Sequence, residues 1–200
     1  MPSQNSPTVP GARPPKIPLS DIFFEHLAPH HNISSFSCAH EELTDYLAAD
    51  ALKNQDAHVA VTYLAVYAGK CVGYFSLLND SIIKKDIDPE DDKDWHTYSY
   101  YPAIKIARFA THQEYEGRDV GRAMLTAIRS IAITVSTYSG CCILTVDAKP
   151  DAELFYERFG FHRALKTKKK EHDTDVPPQY FLTCLNSAGT QSNPRCGAGN

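Results

Sequence analysis

The sequence lacks the signature motifs of two widespread nucleotide-binding folds. It contains no G-x-x-x-x-G-K-S/T, which a P-loop needs, and no G-x-G-x-x-G, which opens the first helix of a dinucleotide-binding fold. These two classes of nucleotide site are therefore excluded. Any phosphate site in this chain must be built on a different turn.

Cysteine pairs, metal-type spacings and long apolar runs are also absent. The six cysteines form no C-x-x-C pair and no metal-ligand spacing with the nine histidines, so we predict no metal site. There is no basic segment followed by a short apolar one, and no apolar run approaches the ~18 residues of a membrane span. We expect a soluble, cytoplasmic protein in a reducing compartment, with no membrane contact.

A general basic excess is missing as well. The formal net charge of −4 gives no overall attraction to polyanions, so a nucleic-acid partner would need a local basic patch. KTKKK, residues 166–170, is such a patch; a solvated hairpin is its ordinary explanation, and contact with an RNA backbone is the functional alternative. The acidic run over residues 86–94 is interpreted as a solvated loop, with attraction of basic partners as the alternative.

What is present suits one compact domain between two tails. A hydrophobic content of 42% in 200 residues is enough for a sizeable core. Residues 1–18 hold six of the thirteen prolines and almost no apolar side chains, which predicts a flexible tail because such a composition cannot offset the entropy of ordering. Residues 186–200 are similar and are predicted to be disordered. The folded domain is expected over residues 19–185.

Apolar periodicity predicts the order of the elements. An amphipathic helix with Ser37 as its N-cap precedes a hairpin that turns at Ala68-Gly69-Lys70. A strand over residues 103–111 leads into a long amphipathic helix from Val120. A buried strand, a short helix ending at Gly160 and a last strand follow, which indicates a mixed α/β (α+β) domain with at least one β-α-β crossover.

The turn YEGRDVGR, residues 115–122, joins the predicted strand to the long helix. A helix N-terminus presents unpaired N–H groups and the positive end of the helix dipole, so this junction is a candidate anion site. Arg118 and Arg122 could add positive charge from their side chains. Glycines at this spacing also occur in ordinary turns, so the motif alone leaves a purely structural turn open.

This turn resembles the pyrophosphate loop of the GNAT superfamily of acetyl-CoA-dependent N-acetyltransferases, commonly Gln/Arg-x-x-Gly-x-Gly/Ala. Residues 116–121, EGRDVG, lie over that pattern with two departures. Glu116 stands where glutamine or arginine is usual, and Asp119 stands where the first glycine is usual. Both departures add negative charge near the place of a diphosphate.

Two further stretches carry the resemblance. VDAKPDAELFYERFGF, residues 146–161, is similar to the family's segment after the fifth strand, A-x-x-F/L-Y-E/K-x-x-G-F, although Lys149 stands where many members have asparagine. FSCAHEELTDYL and VGYFSLLNDSI, residues 36–47 and 72–82, are similar to the opening helix and third strand of the GNAT group that includes the aminoacyl-tRNA-acetylating toxins of bacterial toxin–antitoxin modules. In the first of these, Ala39 replaces the usual glycine. The resemblance covers residues 36–185.

The resemblance implies a GNAT fold, with a central, mostly antiparallel sheet, flanking helices, and parallel fourth and fifth strands that splay apart. It implies acetyl-CoA as the cosubstrate, with its pantetheine arm along the fourth strand and its diphosphate in the loop. The residues implied to hold it are Phe109, Ala110, Glu116, Gly117, Arg118, Asp119, Val120, Gly121 and Arg122. It also implies Tyr156 as the general acid for the departing thiolate, with an aromatic anchor on the short helix as the structural alternative.

The implied activity is transfer of an acetyl group to an amine in a ternary complex. The acceptor is left open between aminoacyl-tRNA and a protein or small-molecule amine, and tRNA, an antitoxin and a second copy in a homodimer are possible partners. His112 and Glu114 follow the fourth strand and are candidate general bases, although polar side chains in a turn have a commoner explanation at the surface. Glu116 and Asp119 keep a second hypothesis open, a catalytically weak coenzyme A-binding regulatory module.

Overall fold

The computed structural model describes residues 14–87, 98–141, 143–165 and 177–183. The basic patch at residues 166–170 and the C-terminal tail at residues 186–200 lie outside this part of the chain, as does most of the acidic run, and the tail boundaries stay predictions. The helices are α1 Glu41–Ala49, α2 Ala51–Asp56, α3 Val120–Ser139 and α4 Glu153–Arg158. The strands are β1 Phe23–His26, β2 Val61–Tyr67, β3 Lys70–Ile83, β4 Tyr100–Thr111, β5 Ile143–Asp147, β6 His162–Arg163 and β7 Gln179–Thr183.

The seven strands form one mixed sheet in the order β1-β2-β3-β4-β5-β7-β6. β1 and β3 pair with β2 in the antiparallel sense, and β5 and β6 pair with β7 in the same sense. β4 and β5 run parallel, and α3 connects them along the chain. The predicted mixed α/β fold with a parallel fourth and fifth strand is confirmed.

The predicted hairpin has a local cause in its two-residue turn. Ala68 has φ 49° and Gly69 has φ 74°, and two consecutive left-handed residues are what a type I′ hairpin turn requires. The first helix differs from its prediction at its start, because His40 precedes its first residue, Glu41, and Ser37 is not its N-cap. It ends at Ala49, and α2 begins after Asp50. The sequence did not predict β1 or β6, which are only four and two residues long.

The described chain divides into two compact units. Among the described residues, the first unit comprises 14–78 and 107–128, and the second comprises 79–87, 98–106, 129–141, 143–165 and 177–183. The first unit has a buried cluster formed by Leu27, Phe36, Leu43, Tyr46, Leu47, Ala51, Leu64, Tyr74 and Ala110. The second has a buried cluster formed by Ile82, Ile87, Tyr101, Ala103, Ile143 and Phe181.

The two segments that resemble the toxin group supply much of the first core. Phe36 lies edge-on to the ring of Tyr74 at 5.4 Å between centroids, and Tyr46 stacks on the same ring at 6.4 Å. The hydroxyl of Tyr74 donates a hydrogen bond of 2.6 Å to the carbonyl oxygen of Leu43 in α1. These segments are therefore tied together by packing and by one buried polar contact, which fixes α1 on β3.

Gly73 on β3 makes a close approach possible. A Cβ atom at this position would lie 2.9 Å from the sulfur of Met124 and 3.1 Å from the carbonyl oxygen of Ala110. Met124 on α3 is fully buried, and Ala110 on β4 is 5% exposed. The missing side chain thus lets α3 pack closely against β3 within the first unit.

Replacing Gly73 with alanine is expected to lower the free energy of unfolding by about 1–3 kcal/mol, the usual cost of overpacking. The sulfur of Met124 sits on a flexible side chain and can shift, whereas the Ala110 carbonyl is backbone, so relief of the clash is only partial. Urea unfolding measures the loss. In a Gly73→Ala/Met124→Ala double variant the loss should be smaller than the sum of the two single losses; additive losses would contradict this account of Gly73.

Candidate functional site

β4 continues beyond its pairing with β5. The parallel register joins residues 103–106 of β4 to residues 143–146 of β5, whereas β4 extends to Thr111. Phe109 is half-buried and Ala110 is buried. Both residues therefore lie in the part of β4 past the β5 pairing, where the resemblance places the pantetheine arm.

The turn between β4 and α3 contains two residues in the left-handed region. A 3-10 turn, Gln113–Tyr115, is followed by Glu116 in an extended conformation and by Gly117 with φ 72°. Asp119 has φ 67° and directly precedes Val120, the first residue of α3. Glycine adopts this conformation without steric cost, and aspartate is among the few side chains that tolerate it. Asp119 thus occupies a backbone position that suits the glycine usual at this place in the loop.

The first turn of α3 presents backbone donors. Helical pairing begins with the N–H of Ala123, which donates to the carbonyl oxygen of Asp119 at 3.0 Å. The N–H groups of Val120, Gly121 and Arg122 precede that first bond and lie at the positive end of a 20-residue helix. Such an arrangement fits a phosphate or diphosphate group.

The charged side chains of the turn have different surroundings. The Nε of Arg118 donates to the carbonyl oxygen of Pro15 at 3.0 Å, and its guanidinium lies 5.1 Å from the centroid of the Tyr115 ring. Arg118 is therefore engaged with protein groups. Arg122 and Glu116 are both exposed, so Arg122 is the cation of the turn whose side chain faces solvent.

A short N-terminal segment packs on this turn. We call residues 14–17 the strap. The N–H of Ile17 donates to the carbonyl oxygen of Arg118 at 3.0 Å, and the side chain of Ile17 is 3% exposed. The Nζ of Lys16 lies 2.9 Å from a carboxylate oxygen of Asp119. The strap belongs to the same compact unit as the turn.

His112 caps the 3-10 turn. Its Nδ1 accepts a hydrogen bond from the N–H of Glu114 at 3.2 Å, so its Nε2 carries the hydrogen that is donated to the carbonyl oxygen of Ser35 at 3.0 Å. Its ring lies edge-on to Phe36 and Tyr115, each at 5.6 Å between centroids. Both ring nitrogens are thus used by the fold, and this geometry supports the capping role over the general base. Glu114 is exposed.

Tyr156 lies on α4 in the second unit and is 4% exposed. Its ring is edge-on to those of Phe155 and Phe161, each at 5.3 Å between centroids. Burial raises the pKa of the Tyr156 hydroxyl above its ordinary value. The hydroxyl therefore keeps its proton at neutral pH and can serve as a donor.

The same helix carries a carboxylate clamp, formed by Tyr180, Glu153 and Glu157. The hydroxyl of Tyr180 on β7 lies 2.8 Å from a carboxylate oxygen of Glu153 and 3.1 Å from one of Glu157. The two glutamates are four residues apart and so share one face of α4. The clamp fixes α4, and with it the backbone of Tyr156, to β7.

The sequence pattern predicted neither the strap contact nor the carboxylate clamp. Lys16 is about a hundred residues from Asp119, and nothing in the sequence pairs the two. The spacing of Glu153 and Glu157 was a usable signal for a shared face, but it does not identify Tyr180 as their partner.

Two negative observations apply to the described part of the chain. Within residues 14–87, 98–141, 143–165 and 177–183, no group of three or more His, Cys, Asp or Glu side chains is placed to hold a metal ion. Over these same ranges, no helix has the length and apolarity needed to cross a membrane.

Comparison with known proteins finds similarity both by sequence and by structure. A tRNA-acetylating toxin of Mycobacterium tuberculosis is 25% identical over 131 residues, which are 65% of this chain and 78% of the toxin. AtaT complexed with acetyl-methionyl-tRNAfMet has a TM-score of 0.72 at 16% identity, covering 82% of this chain and 95% of that one. A Tyr-to-Phe variant of the AtaT toxin, bound to the C-terminus of the antitoxin AtaR and acetyl-CoA, has a TM-score of 0.64 at 16% identity, covering 82% and 94%. Structural likeness at this identity shows a shared fold.

A family model assigns the activity class. The model described as Acetyltransferase (GNAT) domain matches residues 56–163. This range runs from the end of α2 through β6 and contains both the turn before α3 and Tyr156. The match covers more than half of the chain, so this protein belongs to the GNAT acetyltransferase family and is an acyltransferase.

Proposed function

We propose that this protein transfers the acetyl group of acetyl-CoA to an amine by direct attack in a ternary complex. The observation that carries the proposal is the turn before α3. Two left-handed residues, Gly117 and Asp119, lead into a helix whose first N–H groups precede any intrahelical bond. That turn lies within residues 56–163, which match the acetyltransferase family, and this supports its assignment to the coenzyme.

Backbone groups would hold most of the coenzyme. Phe109 and Ala110 lie on β4 past its pairing with β5 and would contact the pantetheine arm. Residues 116–122 would surround the diphosphate, chiefly through the N–H groups at the start of α3. Reliance on backbone donors is compatible with unusual side chains at Glu116 and Asp119, because those donors do not depend on side-chain identity.

In the chemical step, the amine nitrogen attacks the carbonyl carbon of the thioester. A C–N bond forms, the C–S bond breaks, and its electron pair passes to sulfur. The hydroxyl of Tyr156 would donate its proton to that sulfur, and the amine gives up one proton to solvent or to a base. Burial raises the pKa of the Tyr156 hydroxyl, so this group carries its proton when the thiolate departs.

The acceptor we favour is the α-amino group of an aminoacyl-tRNA. His112 is committed to capping, so an amine that needs little help in losing its proton suits this protein best. A peptide α-amine has a pKa near ~8, against ~10.4 for lysine, so a larger share of it is already neutral at pH 7. The tRNA-acetylating toxin and the AtaT complex with acetyl-methionyl-tRNAfMet support this acceptor by similarity.

Partners follow from the same relatives. AtaT has been solved with the C-terminus of the antitoxin AtaR, which supports an antitoxin partner for this chain. A second copy of this chain, in a homodimer, is also a proposed partner. A protein or small-molecule amine is the alternative acceptor, since the net charge of −4 does not favour RNA.

The second candidate is a coenzyme-binding regulatory module without efficient catalysis. Glu116 and Asp119 favour it, because both place negative charge at the diphosphate loop. Stabilisation by acetyl-CoA without thiol release over a broad panel of amines is the outcome specific to this candidate.

Replacing Tyr156 with phenylalanine should lower kcat by about 100-fold or more, within the usual contribution of general acid catalysis. The packing against Phe155 and Phe161 is kept, so the affinity for acetyl-CoA should change by less than about twofold, on the scale of a peripheral contact. Thiol release and calorimetry measure the two quantities. Tyr138→Phe, at a residue that is 87% exposed, is the matched control. Unchanged turnover in Tyr156→Phe would refute the general-acid role.

The pH profile of kcat gives an independent check. Burial raises the pKa of Tyr156 above its ordinary value near ~10, so the hydroxyl stays protonated throughout the range from pH 7 to 10. We expect activity to rise as the acceptor amine loses its proton and then to stay level up to about pH 10. A decline between pH 8 and 10 that is missing in the residual activity of Tyr156→Phe would contradict this expectation.

The acceptor is identified by isotope transfer. Purified protein is incubated with isotopically labelled acetyl-CoA and a cell extract, and the tRNA, protein and small-molecule fractions are separated before mass spectrometry. We expect the label on aminoacyl groups released from tRNA, and a much slower appearance of that label with the Tyr156→Phe variant. Label confined to proteins or small amines would select the alternative acceptor.

A further inference from the structure

We propose that the strap, residues 14–17, is part of the coenzyme loop, and that Lys16 is a positioning residue that sustains acetyl-CoA affinity by neutralising Asp119. This inference rests on the proposed use of acetyl-CoA. It assigns a binding role to a segment that the sequence pattern places in the proline-rich tail.

Asp119 poses an electrostatic problem for a diphosphate. It directly precedes α3, at the end of the helix where N–H groups and the positive dipole end favour an anion. The side chain is 29% exposed, and its charge is therefore only partly screened by water. An uncompensated carboxylate at this place would repel the phosphates of the coenzyme.

Lys16 supplies the compensating charge. Its Nζ is 2.9 Å from a carboxylate oxygen of Asp119. An ammonium group has three donors, so a contact with one carboxylate leaves capacity toward a second anion. The ion pair of Lys16 and Asp119 has no net charge, whereas Asp119 alone would place a charge of −1 beside the first turn of α3.

The position of Lys16 is imposed by its neighbours. Ile17 is buried, and its N–H donates to the carbonyl oxygen of Arg118. In return the Nε of Arg118 donates to the carbonyl oxygen of Pro15. These reciprocal bonds hold the strap from both sides of Lys16, so the lysine does not depend on its exposed ion pair for its place.

Two further features restrict the strap. Pro14 and Pro15 fix the backbone φ angle and reduce the conformational freedom that is lost on ordering. The Cγ of Pro14 would lie 3.7 Å from a Cβ at Gly117, so the strap runs in van der Waals reach of the left-handed turn. The turn and the strap therefore form one local structure in the first unit.

The test is a double-variant cycle on the full chain, with binding of coenzyme A measured by calorimetry. The variants are Lys16→Ala, Asp119→Asn and both together, with Lys16→Arg as the conservative variant. Lys53→Ala is the matched control, because Lys53 pairs with Asp50 at 3.6 Å on the exposed surface of the same unit. Acetyl-pantetheine, which lacks the diphosphate, serves as the second acyl donor in rate measurements.

Lys16→Ala should weaken coenzyme A binding by about fivefold to tenfold, since one unit charge beside a diphosphate in water changes a binding constant by roughly that factor. The loss should shrink to less than about twofold in the Asp119→Asn background, as coupled sites require. Lys16→Arg and Lys53→Ala should bind like the wild type. The rate with acetyl-pantetheine should be the same in Lys16→Ala and wild type.

Three results with the variants would overturn the inference, and one result with the wild type would do so as well. Unchanged affinity of Lys16→Ala for coenzyme A would show that the lysine has no role in binding. Tighter binding of coenzyme A by this variant would show that Lys16 competes with the coenzyme. An equal loss with and without Asp119 would show that Lys16 does not act through that carboxylate. Failure of the wild type itself to bind coenzyme A refutes the proposed function, and the inference with it, and is distinguished by the wild-type titration alone.

Discussion

The left-handed backbone at Asp119 is the constraint on which the turn between β4 and α3 depends. With φ 67°, Asp119 turns the chain from the 3-10 segment into α3. A residue with right-handed backbone angles at this position would send the chain in a different direction, and α3 would not begin at Val120 in the same orientation. The helix then begins at Val120, and the donors of its first turn stay available because helical pairing starts only at Ala123. The strap and the cap formed by His112 both serve this same short stretch of backbone.

Much of the fold was predictable from the sequence because its signals are local. The hairpin follows from Ala68-Gly69, and α3 follows from a stripe of apolar residues at helical spacing. The parallel pairing of β4 with β5 follows from the long helix between them, because a crossover of this kind joins parallel strands. β1 escaped prediction because its four residues have no alternating pattern of burial and gain their place only by pairing with β2.

The candidate site was predictable only where its parts are contiguous. Residues 116–122 and Tyr156 stand in recognisable motifs. The contact of Lys16 with Asp119 and the contact of Tyr180 with α4 join residues that are distant in sequence, and charge or aromatic character alone does not pair them. His112 shows a related difficulty: a histidine after a strand is compatible with proton transfer, and the sequence alone does not reveal that its ring nitrogens contact a backbone N–H and a backbone carbonyl.

The segments that resemble the toxin group are core segments. Phe36, Leu43 and Tyr74 pack together in the first unit and are held by one hydrogen bond to a backbone carbonyl. The similarity of these segments to the toxin group therefore lies in residues that fix α1 to β3.

The hydroxyl that holds α4 has one hydrogen and two carboxylate neighbours. Tyr180 can donate to Glu153 or to Glu157, one helical turn apart, but not fully to both at once. The attachment is thus redundant: loss of either carboxylate leaves the hydroxyl a partner on the same helix face. Substitution of one glutamate therefore leaves one hydrogen bond between Tyr180 and α4. Loss of the Tyr180 hydroxyl removes both contacts at once.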